Sequence, residues 1–181
     1  MTSTTEHSTP PDTLDSLLGI APGSPLHTVR HARDKVALAT QGSQGSQGSQ
    51  DLFFAPTLEH NLSLSERLWV AYYATLLSLQ PTLSEHYLSQ LQATGAQASV
   101  LADVSASRID LLEDPRLAAI LRFTRTLIES PVHGDQSALQ ALQHEGLSTA
   151  EIVVLAQLIA FLSYQVRLAA GLDALKSAGA A

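Results

Sequence analysis

The histidines and the carboxylates beside them are the first residues to consider for chemistry. His86 follows Glu85 in the stretch QPTLSEHY, and histidine is the side chain whose ordinary pKa lies near neutrality. His86 is therefore a candidate catalytic acid or base. The alternative is a polar histidine close to a helix start, with no part in chemistry.

A second pair of histidines has the spacing of metal ligands. His27 and His31 lie four residues apart with Asp34 close by, and two histidines at that spacing share one helix face. The surrounding stretch HTVRHARD also carries Arg30 and Arg33. Such a density of charge is typical of a solvated helix face, so we predict that the chain binds no metal and no cofactor.

Arg167 is a lone cation near the end of the most apolar segment of the chain, which carries no charge between Glu151 and Arg167. A cation in such a place must reach water, a carboxylate or a ligand anion. One interpretation is a buried ion pair that fixes packing, and the other is an anion-binding group in an internal pocket. Tyr72 is a candidate to line that pocket, although aromatic residues at helical spacing more often pack in the core.

Three glutamates, including Glu85, have a plainer explanation than catalysis. Each lies three residues after a serine or threonine, which is the capping-box pattern of a helix start. The three pairs are Ser63 and Glu66, Thr82 and Glu85, and Ser148 and Glu151.

The elements that must position these residues are predicted to be helices throughout. Apolar residues recur at helical spacing, and no segment alternates apolar and polar residues as a strand would. We therefore predict an all-α fold in a single domain over 12–181, preceded by a disordered tail at 1–11. The repeat QGSQGSQGSQ at 41–50 has no apolar side chain and is predicted to be a flexible surface loop. The predicted helices span 13–20, 24–40, 63–80, 82–95, 98–103, 114–130, 135–145 and 149–170.

Composition excludes several classes of function. The 181 residues carry a net charge of −7 and only 15% are charged, so no basic surface exists for nucleic acid. We see no signal peptide and no uninterrupted apolar span, and we expect a cytoplasmic protein without membrane contact. The absence of cysteine excludes disulfides, zinc–thiolate sites, iron–sulfur clusters and a thiol nucleophile.

A family resemblance lies in LSLSERLWVAYYATLLSLQPTLSEHYLSQLQATGA at 62–96, and downstream in DPRLAAILRFTRTLIESP and GLSTAEIVVLAQLIAFLSYQVRLAAGL. These segments resemble the carboxymuconolactone decarboxylase-like family, which includes the AhpD-type alkylhydroperoxidases. The resemblance covers about 62–172. It implies an AhpD-like helical bundle with an N-terminal helical extension, assembled into a homo-oligomer such as a dimer, trimer or hexamer.

The chemical positions of that family are changed in this chain. Gln80 and Leu83 stand where the peroxidase members carry two cysteines, Tyr87 stands in place of their histidine, and Leu68 replaces the proton-relay glutamate. A thiol peroxidase needs one thiolate to attack the peroxide and a second thiol to resolve the product. The resemblance therefore implies a degenerate site without that activity.

The resulting expectation is a small-molecule-binding or accessory oligomer that has lost the dithiol. An alternative is a cofactor-free lyase or isomerase of the decarboxylase type, acting on a small organic acid, which requires His86 and Arg167 to converge in a closed polar cavity. A third possibility, a subunit of a mixed assembly, predicts a broad apolar face exposed on the isolated chain.

Overall fold

The computed structural model describes residues 12–41, 48–56 and 62–179, and within these ranges it contains ten α-helices and no strand. The all-α prediction is confirmed. The predicted tail at 1–11 and the central part of the predicted loop, 42–47, lie outside the described residues. The helices are α1 Thr13–Leu18, α2 Pro25–Arg30, α3 Asp34–Gln41, α4 Ser49–Phe54, α5 Leu64–Leu77, α6 Pro81–Ala93, α7 Ala98–Ser105, α8 Pro115–Glu129, α9 Gln136–His144 and α10 Thr149–Ser177.

Helix α5 forms the centre of the bundle. Every residue from Arg67 to Thr75 is buried, because α6, α8 and α10 pack around this helix. A helix that is apolar on all sides is stable only when other elements cover it in this way. The chain leaves α5 through Leu79, which has a φ of 53° and is 88% exposed, and α6 begins two residues later.

The helix predicted over 24–40 is in fact two helices. Ser24 caps α2 as expected, with its hydroxyl accepting a hydrogen bond from the His27 amide at 3.1 Å. The helix ends at Arg30, and a turn precedes α3. The prediction of one continuous helix was wrong because the side chains of Arg30 and His31 bind α1, and contacts between distant elements override helical periodicity.

The prediction of a loop over 41–50 was also wrong at both ends of that range. Gln41 belongs to α3, while Ser49 and Gln50 begin α4. Helix α4 packs into the bundle through aromatic rings: the Phe53 ring centroid lies 5.5 Å from that of Phe161, and the Phe54 centroid lies 5.1 Å from that of Tyr87. Burial of these rings stabilises a helix of only six residues, which is too short to be stable alone.

A buried arginine holds α4 against the start of α5. Arg67 is 1% exposed and donates to the carbonyl oxygens of Phe53, Ala55, Leu62 and Ser63. Burial lowers the pKa of Arg67, and the adjacent Glu66 opposes that change. Since several carbonyl dipoles point at one guanidinium, the charge is stabilised without direct contact with a carboxylate.

Candidate functional site

The positions that resemble the family's catalytic motif lie in the packed interior. Leu68 is 2% exposed and Leu83 is 1% exposed, and both belong to the hydrophobic core. Gln80 precedes α6, is 7% exposed, and donates from Nε2 to Asp173 Oδ2 at 3.4 Å. These side chains contribute packing and one weak polar contact rather than a reactive group.

Tyr87 belongs to a set of three buried, neutral side chains, here called the buried amide network: Gln50 of α4, Tyr87 of α6 and Gln165 of α10. The Tyr87 hydroxyl donates to Gln165 Oε1 at 2.6 Å, and Gln165 Nε2 donates to Gln50 Oε1 at 2.8 Å. Burial raises the pKa of the Tyr87 hydroxyl, which keeps its proton. The Tyr87 hydroxyl and the Gln165 amide both donate within this network, which joins three helices.

His86, the candidate acid or base, lies on the flank of α6 and is half-buried. Its Nε2 is 2.7 Å from Gln90 Nε2. An amide nitrogen can only donate, so His86 Nε2 is the acceptor and the ring proton is on Nδ1. Burial lowers the pKa of His86, which favours the neutral imidazole at pH 7. Its ring also packs edge-on against Tyr87, with centroids 5.1 Å apart.

Arg167 lies on the exposed side of α10 and donates to the carbonyl oxygen of Ser163, one turn back in the same helix, at 3.0 Å. No residue in 12–41, 48–56 or 62–179 forms an ion pair with it. The interpretation of Arg167 as part of a buried ion pair was therefore wrong, whereas a role in binding an anion stays a prediction. The apolar segment before it is only partly covered, so its end reaches solvent.

Tyr72 is a core residue. It is 6% exposed, its ring lies 6.5 Å from that of Trp69, and burial raises the pKa of its hydroxyl while a hydrogen bond with Ser105 opposes the change. The surface grooves of about 480, 470 and 430 Å³ in the described part of the chain are not lined by Tyr72, His86 or Arg167. The structure does not gather these three residues into one site.

Two of the three predicted capping boxes are confirmed, and one cation joins them. Ser63 with Glu66 starts α5, and Ser148 with Glu151 starts α10. Arg116 donates from Nε to Glu66 Oε1 at 2.7 Å and from Nη2 to Glu151 Oε1 at 2.6 Å. These glutamates are structural, as the capping pattern indicated.

The third predicted box was wrong. Helix α6 begins at Pro81 with Gln80 as its N-cap and has no side-chain capping bond. The register is therefore two residues earlier than a Thr82 cap would give. Proline is favoured at the first helical position because its fixed φ suits the helix and it has no amide hydrogen to satisfy.

The HTVRHARD stretch, predicted to be a solvated face, is so only in part: Val29 and Arg33 are exposed, but three of its side chains pack against Asp12 and α1. We call the five residues involved the aspartate–histidine cluster, and they are Asp12, Asp15, His27, Arg30 and His31. Arg30 is 5% exposed at its side chain and pairs with Asp12 at 2.9 Å, while His31 Nε2 lies 2.7 Å from Asp15 Oδ2. Sequence spacing suggested Asp34 as the third group, but the fold places Asp15 there.

The described residues thus define an all-α bundle protein with a filled interior and one charged, half-open cluster at its N-terminal helices. The chain matches none of the protein-family models with which it was compared. It also matches none of the curated protein sequences.

Proposed function

We propose that this chain is a thiol-free relative of the carboxymuconolactone decarboxylase-like proteins that acts without catalysis, as an accessory homo-oligomer. The buried amide network is the observation that supports this proposal best. In the alignment suggested by Pro81 and Gly95, Tyr87 occupies the position of a catalytic histidine. In the structure it is 0% exposed and hydrogen-bonded within the interior.

A filled interior argues against turnover at this place. Catalysis requires a cavity for the substrate and polar groups that are free to contact it. Leu68 and Leu83 fill the core here, and the Tyr87 hydroxyl is already paired with Gln165. Removing a peroxidatic site and packing its place with apolar and neutral polar groups stabilises the bundle.

The lyase alternative gains no support from the geometry. It requires His86 and a cation to converge in one cavity, but His86 is paired with Gln90 and Arg167 lies on the exposed side of another helix. A small organic ligand would fit better in the groove of about 430 Å³ between α2, α3 and α10, which has largely apolar walls. Arg33 lines that groove as well and suits an anionic end.

Assembly is favoured by the exposed side of α10. Seven exposed residues recur at alternating intervals of four and three, and we call them the α10 stripe: Val153, Gln157, Ala160, Tyr164, Arg167, Gly171 and Ala174. This interval is the repeat of helices that pack along their length against a partner helix. Small and apolar residues predominate, so a second helix could approach closely.

Helix α10 is also long and apolar enough to span a membrane, judged by length and composition alone. Its mean hydropathy is 1.7 over the most apolar window, and 44% of that window is buried. A partner helix on the α10 stripe accounts for the same composition, because half of a core helix would then face an interface. The expectation of no membrane contact stays a prediction.

The assembly part of the proposal is tested by sedimentation velocity. The wild-type chain should sediment as an oligomer at tens of micromolar, and the double variant Ala160→Glu, Tyr164→Glu as a monomer with unchanged far-UV circular dichroism. Val132→Glu is the matched control, because Val132 is 84% exposed and lies outside α10. A monomeric wild type, or co-flotation of the wild type with phospholipid vesicles, would contradict assembly through the stripe.

The non-catalytic part is tested by a peroxidase assay on the same protein. Neither hydrogen peroxide nor an organic hydroperoxide should be consumed above the buffer rate in the presence of a dithiol reductant. Turnover that survives purification to homogeneity and is lost in His86→Ala would overturn this part of the proposal.

A further inference from the structure

The aspartate–histidine cluster gathers three classical metal-ligand groups at one point. His27 lies in α2 and His31 is the C-cap of that helix. Their rings are stacked with centroids 4.3 Å apart, and both approach the same oxygen of Asp15 in α1. His31 Nε2 lies 2.7 Å and His27 Nε2 4.0 Å from Asp15 Oδ2. One ligand atom from each residue falls within 4.8 Å of the others.

The permanently charged groups at this point are unequal in number, because two carboxylates face one guanidinium. Asp12 and Arg30 form a two-bond ion pair, with Nη1 and Nη2 of Arg30 at 3.0 and 2.9 Å from the two carboxylate oxygens. Arg30 also forms an ion pair with Asp15, so the two carboxylates share a single guanidinium. The side chain of Asp15 is only 10% exposed, and its Oδ1 receives no hydrogen bond although Arg30 Nη1 is 3.2 Å away. A buried, under-paired carboxylate attracts a cation.

His31 Nε2 has two close neighbours of opposite hydrogen-bonding character. This nitrogen is 2.7 Å from the carboxylate oxygen of Asp15, which can only accept, and 3.0 Å from Arg30 Nη1, which can only donate. A neutral ring nitrogen satisfies one of these neighbours, and an imidazolium would face the guanidinium with like charge. A metal ion between Nε2 and Oδ2 uses the lone pairs of both atoms.

The distances suit a first-row divalent ion after small side-chain shifts. Zinc binds nitrogen and oxygen at about 2.0–2.2 Å, so two ligands of a tetrahedral site lie about 3.3 Å apart. His31 would move away from Asp15 by about 0.6 Å and His27 would move closer by about 0.7 Å, and Arg30 Nη1 would give up His31 while keeping Asp12. Two histidines at this spacing with a carboxylate from another helix form a familiar donor set for zinc.

We propose that Asp15, His27 and His31 bind one divalent transition-metal ion, for which zinc is the best match, and so tie α1 to α2. The side chains of His27 and His31 are 30% and 27% exposed, so water can complete the coordination on the solvent side. Hard cations such as magnesium and calcium are disfavoured, because they prefer oxygen ligands over imidazole. The site is independent of the accessory function proposed above.

Zinc titration of the tag-free, chelator-stripped full chain tests this proposal. Isothermal titration calorimetry should show one zinc ion per chain for the wild type, and His27→Gln should weaken binding at least about tenfold. His144→Gln is the matched control, because His144 contacts the carboxylate of Glu145 at an exposed helix end. Binding by His144→Gln should equal that of the wild type.

Two further measurements distinguish a built site from casual binding by surface histidines. Zinc at about a hundred times its dissociation constant should raise the melting temperature of the wild type by about 5 °C or more, with no rise for His27→Gln. Cobalt(II) in place of zinc should give the intense visible bands of a low-coordinate site in the wild type and in His144→Gln, but not in His27→Gln. No zinc binding, or equal binding by the wild type and His27→Gln, would overturn the proposal.

Discussion

The buried amide network and the aspartate–histidine cluster both join distant helices through polar side chains, but they differ in charge and in completeness. Gln50, Tyr87 and Gln165 are neutral, at most 8% exposed, and hydrogen-bonded to one another. Asp15, by contrast, is charged, and one of its oxygens has no hydrogen bond. The histidines beside it are half-open to solvent.

This difference separates polar groups that hold the fold from polar groups that remain available for a ligand. Neutral side chains that hydrogen-bond one another stabilise the core much as apolar packing does, but with fixed geometry. A ligand would find no unbalanced charge there to bind. A charged cluster with unequal donors and acceptors can gain stability by binding a cation. The buried amide network, where the family resemblance suggested chemistry, holds the fold. The aspartate–histidine cluster is the region that remains available for a ligand.

The largest expected effect concerns the neutral network. Tyr87→Ala should lower the free energy of unfolding by about 3–5 kcal/mol, because it leaves a cavity and an unpaired Gln165. Tyr87→Phe keeps the ring and should cost about 1–3 kcal/mol. Urea denaturation measures both. If both variants lose the same free energy of unfolding, the hydroxyl alone would account for the loss. The packing of the Tyr87 ring would then contribute nothing, which would contradict its place in the core.

A somewhat smaller loss is expected in the charged cluster. Arg30→Met keeps the aliphatic stem but leaves Asp12 and Asp15 without their shared cation, which should cost about 3 kcal/mol. Arg108→Met is the control: its ion pair with Asp103 is at the surface, with the arginine side chain 51% exposed, and its loss should cost less than about 1 kcal/mol. Addition of zinc should restore part of the stability in Arg30→Met but not in Arg108→Met, as thermal melting would show.

The smallest effect concerns His86, beside the neutral network. Burial lowers the pKa of His86 below its ordinary value of 6.5, so the folded state binds this proton less readily than the unfolded chain does. Above pH 6.5 His86 is neutral in both states and does not lower the free energy of unfolding. As the pH falls from 6.5 to the folded-state pKa, the unfolded chain binds the proton more readily, and the free energy of unfolding decreases. His86→Gln should therefore lose less stability than the wild type between pH 7 and pH 5 in urea titrations. Parallel pH profiles would show that His86 is not desolvated.

Local signals in the sequence predicted much of the fold. The spacing of apolar residues marked α5, α6, α8, α9 and α10, and hydroxyl–glutamate pairs marked two helix starts. At α6 the same pattern was misleading, because Thr82 and Glu85 have the spacing of a capping box while Pro81 sets a different register. Competition between two valid start signals is decided by tertiary packing, which a local pattern does not contain.

The candidate sites were much less predictable, because they depend on contacts between residues far apart in the chain. Gln50 lies within a repeat that has every mark of a loop, yet it hydrogen-bonds Gln165, 115 residues away. His31 binds Asp15, 16 residues earlier, whereas sequence proximity favoured Asp34. The His-x-x-x-His spacing was a usable signal for this cluster, and the density of charge around it concealed how deeply Arg30 is buried.

Arg116 bridges the capping boxes of α5 and α10 from the first turn of α8, and this arrangement couples the opening of three helix ends. Fraying of α5 would release Glu66 and weaken the hold of the guanidinium on Glu151, so the first turns open together more often than separately. Backbone amides at the three starts should consequently exchange with deuterium at correlated rates. The end of the bundle that carries Arg116 then behaves as one cooperative unit, although its parts lie 85 residues apart, from Glu66 to Glu151.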